Sequence, residues 1–488
     1  MDEEPVFAFS KSFNLNKTSA TSHPSDSVTF TIAHTQDPAI QFAAARGLTL
    51  MRPLWTSSFS TEQLLTFHYL DFATASALSA NYSAQLAIDA YQSGAADYVD
   101  IVALAARQVM GATSFAGTPD DPIIFVKDIS SDGNTQTIDV LFPTFPFFLY
   151  SNPNWLAYML EPLLEHTLSG QYPNKYAMHD IGSSFPNATG HPDGHDEYMP
   201  VEECGNILIM GLALVNSFRY QNRNAGGALL PLDNSAPDLT QDSTTPKAFT
   251  LRFKEDSSVE YLDAQASDVE AMTNAKKWVN RSYQLWKQWT GYLVDFSLEP
   301  ENQLSTDDFA GWLPLQTNLA LKGIIGIHAM SKLAEVVGNH ADAKMYRNIS
   351  KTYVAKWEDL GLSRDKTHAK VAYDWYGSWA TLYNLYADSL LCFRVEPEKP
   401  KHHSSAVSRQ DKQKPMKPPH NDDEISFVPK HIYQLQSDWY YNVRYIKSDQ
   451  VYRRKVRPLA RHSIRSTYES SHRNSATTDH RENTHNLG

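Results

Sequence analysis

Between Leu64 and Phe393 one pattern recurs: apolar residues at spacings of three and four, separated by polar loops. The 3.6-residue helical turn sets that spacing, so the sequence must bury helix faces against one another. The segments are Asn81–Gln92, Ala95–Met110, Pro153–Leu168, Val201–Tyr220, Ser267–Val294, Leu315–Val337, Ala341–Leu360 and Ser378–Phe393. Several carry end signals. Asn152 offers a capping side chain before Pro153, whose φ is already helical, and Pro314 stands in the same relation to Leu315. Gly338 supplies the left-handed residue that closes the helix before it. The expected architecture is mainly α, a layered set of helical hairpins such as a toroid, appended to a β-rich piece.

The β-rich piece is read at the amino end, where VTFTIAHT alternates and Pro38, Gly47 and Pro53 punctuate the first 60 residues. A second interruption lies between Pro122 and Tyr150, where IIFVKDIS and TQTIDVLF suggest a hairpin turning near Asp132-Gly133. Gln221–Gln265 is polar and loop-like. After Val395, EPEKPKHHSSAVSRQDKQKPMKPPHNDDE is almost devoid of apolar residues and reads as a disordered linker. FVPKHIYQLQSDWYYNVRY regains globular character, and a basic, weakly hydrophobic tail follows. The expected division is 1–74, 75–395, 396–426 and 427–488.

Charge is uneven. From Glu398 onward 17 Lys and Arg face 10 Asp and Glu, a balance of +7 within a total of −12, so the preceding body carries −19. An acidic body lacks the footprint that phosphate binding needs, which argues against a nucleic-acid partner. No apolar run approaches the ~20 residues that span a bilayer, and MDEEPVFAFS has no signal-peptide character. Cys204 and Cys392 allow one bridge or two thiols, and five sequons, at Asn16, Asn81, Asn187, Asn280 and Asn348, lean toward secretion.

The richest chemistry lies in His179–Asn206, HDIGSSFPNATGHPDGHDEYMPVEECGN, with three histidines, six carboxylates and four glycines between two apolar helices. A loop of this length inside a compact domain tends to be functional. Glu202 and Glu203 fall at a helix start, where the positive dipole end keeps carboxylates ionised and fit for a base or nucleophile role; offsetting the dipole is the structural alternative. Amide or glycosidic hydrolysis needs one group to activate water and another to protonate the leaving group. Asp180 and His179 adjoin these acids in sequence. Asp307 and Asp308 precede another helix, as caps or as a carboxylate pair with one member of raised pKa. Asn318 and Lys322 are four apart and share a helix face that could clamp a carboxylate or amide, although a snorkelling surface lysine explains Lys322 as well. Trp155, Trp278, Trp286, Trp289, Trp312, Trp375 and Trp379 are expected mostly in the core. Pro192 and Gly194 deny His191 and His195 a helix, so no HExxH-type zinc site forms; Asp193 and Asp196 give weak support for another metal, and none is assigned.

Six stretches carry a family resemblance: QDPAIQFAAARGLTLMRPLW, KDISSDGNTQTIDVLFPTFPFFLY, LLEHTLSGQYPNKYAMHDIG, DEYMPVEECGNILIMGLAL, STDDFAGWLPLQTNLALKGIIGI and YGSWATLYNLYADSLL. Together they resemble the fungal secreted glutaminase A family, densely from Gln36 to Phe393 except near Gln221–Gln265. The resemblance implies a β-sandwich-like domain followed by an (α/α)6 toroid similar to six-hairpin glycosidases. It also implies hydrolysis of L-glutamine to L-glutamate and ammonia without an organic cofactor, by an extracellular protein. It transfers no catalytic set. Among the matched motifs, Asp180, Glu202, Glu203 and Asp307 are the catalytic candidates on chemical grounds, with His179, Asp308, Asn318 and Lys322 as substrate contacts. Two other functions stay open: a glycan-active hydrolase of the same architecture, and an inactive truncated homologue. The family begins with a signal peptide and a fuller β-rich domain, whereas this chain is expected to start inside it. Residues 396–423 and those after Asp449 depart from the pattern, as an unspliced intron and a frame change would make them. Oligomeric state is left open.

Overall fold

The computed structural model describes residues 8–13, 25–45, 47–128, 133–220, 268–307, 311–391 and 427–445. The chain forms two compact units, one from residues 1–292 with 329–344, the other from 293–328 with 345–488. The fold is mainly α with a small strand region toward the amino end.

In the first unit β1 (Ile40–Ala44) and β2 (Gly47–Met51) form an antiparallel hairpin turned by Gly47 at positive φ. Helix α1 (Thr61–Leu70) starts with a reciprocal capping box between Ser60 and Gln63. Helices α2 (Phe72–Gly94) and α3 (Ala96–Ala112) pack on each other. A second hairpin joins β3 (Thr113–Thr118) to β4 (Asp121–Val126). Then come α4 (Ile138–Ser151) and α5 (Pro153–Leu168), the latter capped by the Asn152 side chain accepting from the Asn154 N–H. A short β5 (Asn187–Ala188) pairs parallel to β1.

Helix α6 (Pro200–Tyr220) is the axis of this core. From Val201 to Val215 every residue is buried, and α4, α5 and α7 (Asp268–Arg281) pack against it. A Cβ on Gly211 would come within 2.9 Å of the Trp286 ring, so glycine makes room for that indole against the helix. Trp286 belongs to α8 (Tyr283–Phe296) and sits between Trp278 and Trp289, with ring centroids 5.6 and 5.4 Å away. Stretch 200–218 is long and apolar enough to cross a membrane by composition, contrary to the sequence expectation of no such run, yet 89% of its apolar window is buried inside the protein. It is a core helix.

The second unit holds residues 317–328 of α9 (Thr317–Val337), most of α10 (His340–Gly361), α11 (Leu385–Leu390) and α12 (Lys430–Tyr445). The Trp357 indole donates to the Thr317 carbonyl at 2.8 Å, and isolated bridges such as Gln316↔Ala372 and Ala369↔Ala380 order the long loop after α10.

Several expectations need correction. Residues 138–151 are helix α4 and no hairpin arm, and the real hairpin closes earlier, between Thr118 and Asp121. Val28–Thr35 forms no strand; Phe30 and Ile32 are exposed there, and an alternating segment without a described partner has no ladder to join. The expected 267–294 helix is two, broken at buried Ser282. Helix α9 begins at Thr317 and not at Leu315, whose φ is +57°. The expected 378–393 helix shrinks to α11. Trp312, Trp375 and Trp379 are exposed, while Trp278, Trp286 and Trp289 are buried as expected. The linker 396–426, the Gln221–Gln265 segment, Asp132 and the tail after Tyr445 lie outside the described residues.

Candidate active site

The loop between α5 and α6 is fixed by its own polar groups. Tyr172 donates to both oxygens of Asp196 (2.9 and 3.0 Å), and Asp196 also accepts the His179 N–H at 2.7 Å. The His179 carbonyl accepts from the Ile138 N–H at 2.8 Å, tying the loop to the first turn of α4. Gly190, at φ +73°, passes so close to the buried His166 ring that a Cβ would sit 2.2 Å from it. His166 is held in turn by the Ala43 carbonyl, 2.6 Å from Nδ1.

This frame presents a buried polar cluster. His179 Nδ1 lies 2.9 Å from Asp180 Oδ2, while Asp180 Oδ1 accepts from the Gly182 N–H (2.7 Å) and faces His191 Nε2 at 2.8 Å. Both Asp180 oxygens are therefore engaged by neighbouring groups of the loop. Across the imidazole, Nε2 faces Glu197 Oε2 at 3.6 Å and Asp139 Oδ1 at 3.7 Å. Glu203 completes the group: one oxygen each from Asp139 and Glu203 and one His179 nitrogen all lie within 4.8 Å of one another. Asn206, one turn along α6, donates to Glu203 Oε2 at 3.2 Å. Glu202 and Glu203 are both fully buried at the head of α6, where N–H groups not engaged by the helix point outward.

The electrostatics follow from that geometry. Burial by itself would lower the His179 pKa, but the Asp180 hydrogen bond and the charges of Asp139 and Glu197 outweigh it and push the ring up to about 9. Burial likewise opposes ionisation of Asp180, yet hydrogen bonds from His179 and His191 hold it well below the usual carboxylate range. The Asp180 bond raises His191.

The sequence-predicted residues divide between the units. His179, Asp180, Glu202 and Glu203 belong to the first, and the cluster brings His179, Asp180 and Glu203 together. Asp307, Asn318 and Lys322 belong to the second. Asp307 lines a cavity of about 440 Å³ with Thr306, Val371, Trp379, Thr381 and Tyr383, and burial raises its pKa. Asn318 is occupied structurally: its side-chain oxygen accepts from the Asn384 N–H and its carbonyl from the Asn384 amide. Lys322 is 1% exposed, so the snorkelling reading is wrong. Asp308 lies outside the described residues, as does Cys392; Cys204 is a buried free thiol, raised by desolvation. Asp139 is the site residue that sequence reasoning missed. Its signal was Thr137-Ile138-Asp139, a helix start hidden by the strand reading of TQTIDVLF.

The fold is mainly helical and places an imidazole among carboxylates, and comparison with known proteins gives the family. Residues 95–226 and 264–412 match the family described as the glutaminase A six helical-hairpin domain. The chain belongs to that family. Residues 1–89 match a domain of unknown function, DUF5127. A probable glutaminase of Arthroderma benhamiae is 58% identical over 451 residues, covering 91% of this chain and 52% of that protein. Glutaminase A of Aspergillus oryzae is 40% identical over 398 residues, covering 81% of this chain and 49% of that one. The chain thus spans about half the length of these curated relatives.

Proposed function

We propose that this chain carries the reaction centre of a glutaminase-type amidohydrolase, which hydrolyses L-glutamine to L-glutamate and ammonia. The observation that supports the reading is the cluster of His179, Asp180, Asp139 and Glu203, in a family whose curated relatives are named glutaminases. Hydrolysis needs a water made nucleophilic beside the carboxamide carbon. It also needs a positive or hydrogen-bonding group where the carbonyl oxygen gains charge. Glu203, held on a rigid helix head, activates the water. His179, aimed by Asp180, faces the space where the substrate oxygen would sit. As water adds and the C–N bond breaks, the proton lost by water leaves with ammonia. Glu202, buried beside Glu203 in sequence, supports the same helix head.

Ammonia release from L-glutamine by the 488-residue chain tests the reading. Release that falls at least 100-fold in Glu203→Gln, with the fold retained, is the expected result. Absence of release by the wild-type chain while oligosaccharides are cleaved would replace it with the glycan-active alternative.

A further inference from the structure

We propose that Asp139, His179 and Glu203 form a site for one divalent transition-metal cation, best filled by Zn2+. The proposal rests on the glutaminase reading and deepens it: a cation bound at Nε2 would displace the ring proton and take the place of the His179 N–H as the positive group facing the substrate oxygen.

Three observations carry it. The first is spacing. One donor atom from each residue lies within 4.8 Å of the others. His179 Nε2 stands 3.7 Å from Asp139 Oδ1, too far for a hydrogen bond. Ligands ~2.1 Å from a tetrahedral centre are about 3.4 Å from each other, so the gap fits an ion between them better than a shared proton.

The second is the state of the imidazole. The His179 side chain is 5% exposed, and its Nε2 faces the carboxylates of Glu197 and Asp139 at 3.6 and 3.7 Å. A buried ring nitrogen set among carboxylate oxygens at these separations points into the cluster, where a cation would meet all of them.

The third lies behind the ring. Nδ1 is engaged by Asp180, which Gly182 and His191 anchor from the other side. A ligating histidine commonly donates its far nitrogen to a carboxylate, which fixes the tautomer and directs the other nitrogen at the ion. With a nitrogen donor and carboxylate oxygens, the set favours zinc-like cations over Mg2+ or Ca2+, which take oxygen. Asp139 is 17% exposed and Glu197 40%, so the site opens to solvent on that side, where a water could complete the coordination.

The test uses the full 488-residue chain, stripped with a chelator and titrated with Zn2+ by calorimetry at pH 7.5. One zinc should bind per chain, with affinity at least tenfold weaker in Asp139→Asn and Glu203→Gln. Zinc taken up elsewhere on a chain with 18 histidines would survive those substitutions, and affinity unchanged in both variants overturns the proposal. Should a variant fail to fold, Co2+ added to the wild-type chain answers independently. Visible bands of a low-symmetry nitrogen–oxygen centre support the site, and the spectrum of aqueous Co2+ alone overturns it. Ammonia release is followed in the same samples. Zinc uptake at these residues without ammonia release keeps the cation site and removes the glutaminase reading. Undiminished release by the zinc-free chain with no uptake does the reverse.

Discussion

Asp180 Oδ2 and His179 Nδ1 are 2.9 Å apart, and this contact decides which edge of the imidazole looks toward Asp139 and Glu203. The carboxylate is itself immobilised by Gly182 and His191, so the aim of the ring is set two contacts away from the reacting groups. Asp180→Asn keeps the shape and disturbs the aim. Its kcat for ammonia release should fall 10- to 100-fold with KM nearly constant, read from initial rates over a range of L-glutamine. An unaltered kcat would show that ring orientation does not matter.

Gly190 makes a conformational prediction. Its φ of +73° and the 2.2 Å approach of a Cβ to the His166 ring leave no room for alanine unless the loop or the ring moves. Gly190→Ala should lower the unfolding free energy by roughly 2–4 kcal/mol in urea denaturation, the range for combined strain and overpacking.

Arg281 grips Glu161 with two bonds of 2.6 and 2.7 Å. Burial raises the Glu161 pKa, and the arginine works against that rise. Removing only the arginine strands the carboxylate. Arg281→Met should cost about 3–5 kcal/mol, while Arg281→Met with Glu161→Gln should recover a large part of the loss, because no buried charge is then left over. Equal stability of the single and double variants would contradict this account.

Asp388 gives a pH prediction in the second unit. Burial pushes its carboxyl up to about 6, although the Tyr433 hydroxyl (2.6 Å) and the Val428 N–H (3.3 Å) both favour the ion. The folded chain therefore binds this proton more tightly than the unfolded chain. The stabilisation is full below about pH 4 and is lost as pH rises through 6. Relative to Asp388→Asn, the wild type should lose up to roughly 3 kcal/mol between pH 4 and pH 7. Parallel denaturation series at the two pH values measure the difference, and a constant offset would contradict the assignment.

Much of the helical plan was legible because local chemistry and tertiary packing agree. Asn152-Pro153 caps α5 as its sequence demands, Gly338 takes positive φ at the end of α9, and the apolar run after Pro200 is a core helix. Helix α4 was illegible for a physical reason: Thr135, Thr137, Ile138 and Val140 favour strands, and Pro143 and Pro146 argue against a helix interior. Packing against α5 and α6 overrides those preferences. The error then hid Asp139, since a residue read into a hairpin arm has no reason to meet Glu203, 64 positions later. Asp180 was found by its neighbourhood, but its orienting role needed distances that spacing does not contain. The exposure of Trp379 was hidden too, because the helix expected from Ser378 onward is loop until Leu385.

The acids Glu202 and Glu203 ride at the head of the most deeply enclosed rod in the first unit. They cannot swing to meet a ligand without prying that rod from its neighbours. Under the proposed reading, a molecule that enters this centre must already have the right shape, and selectivity would come from the stiffness of the helix head.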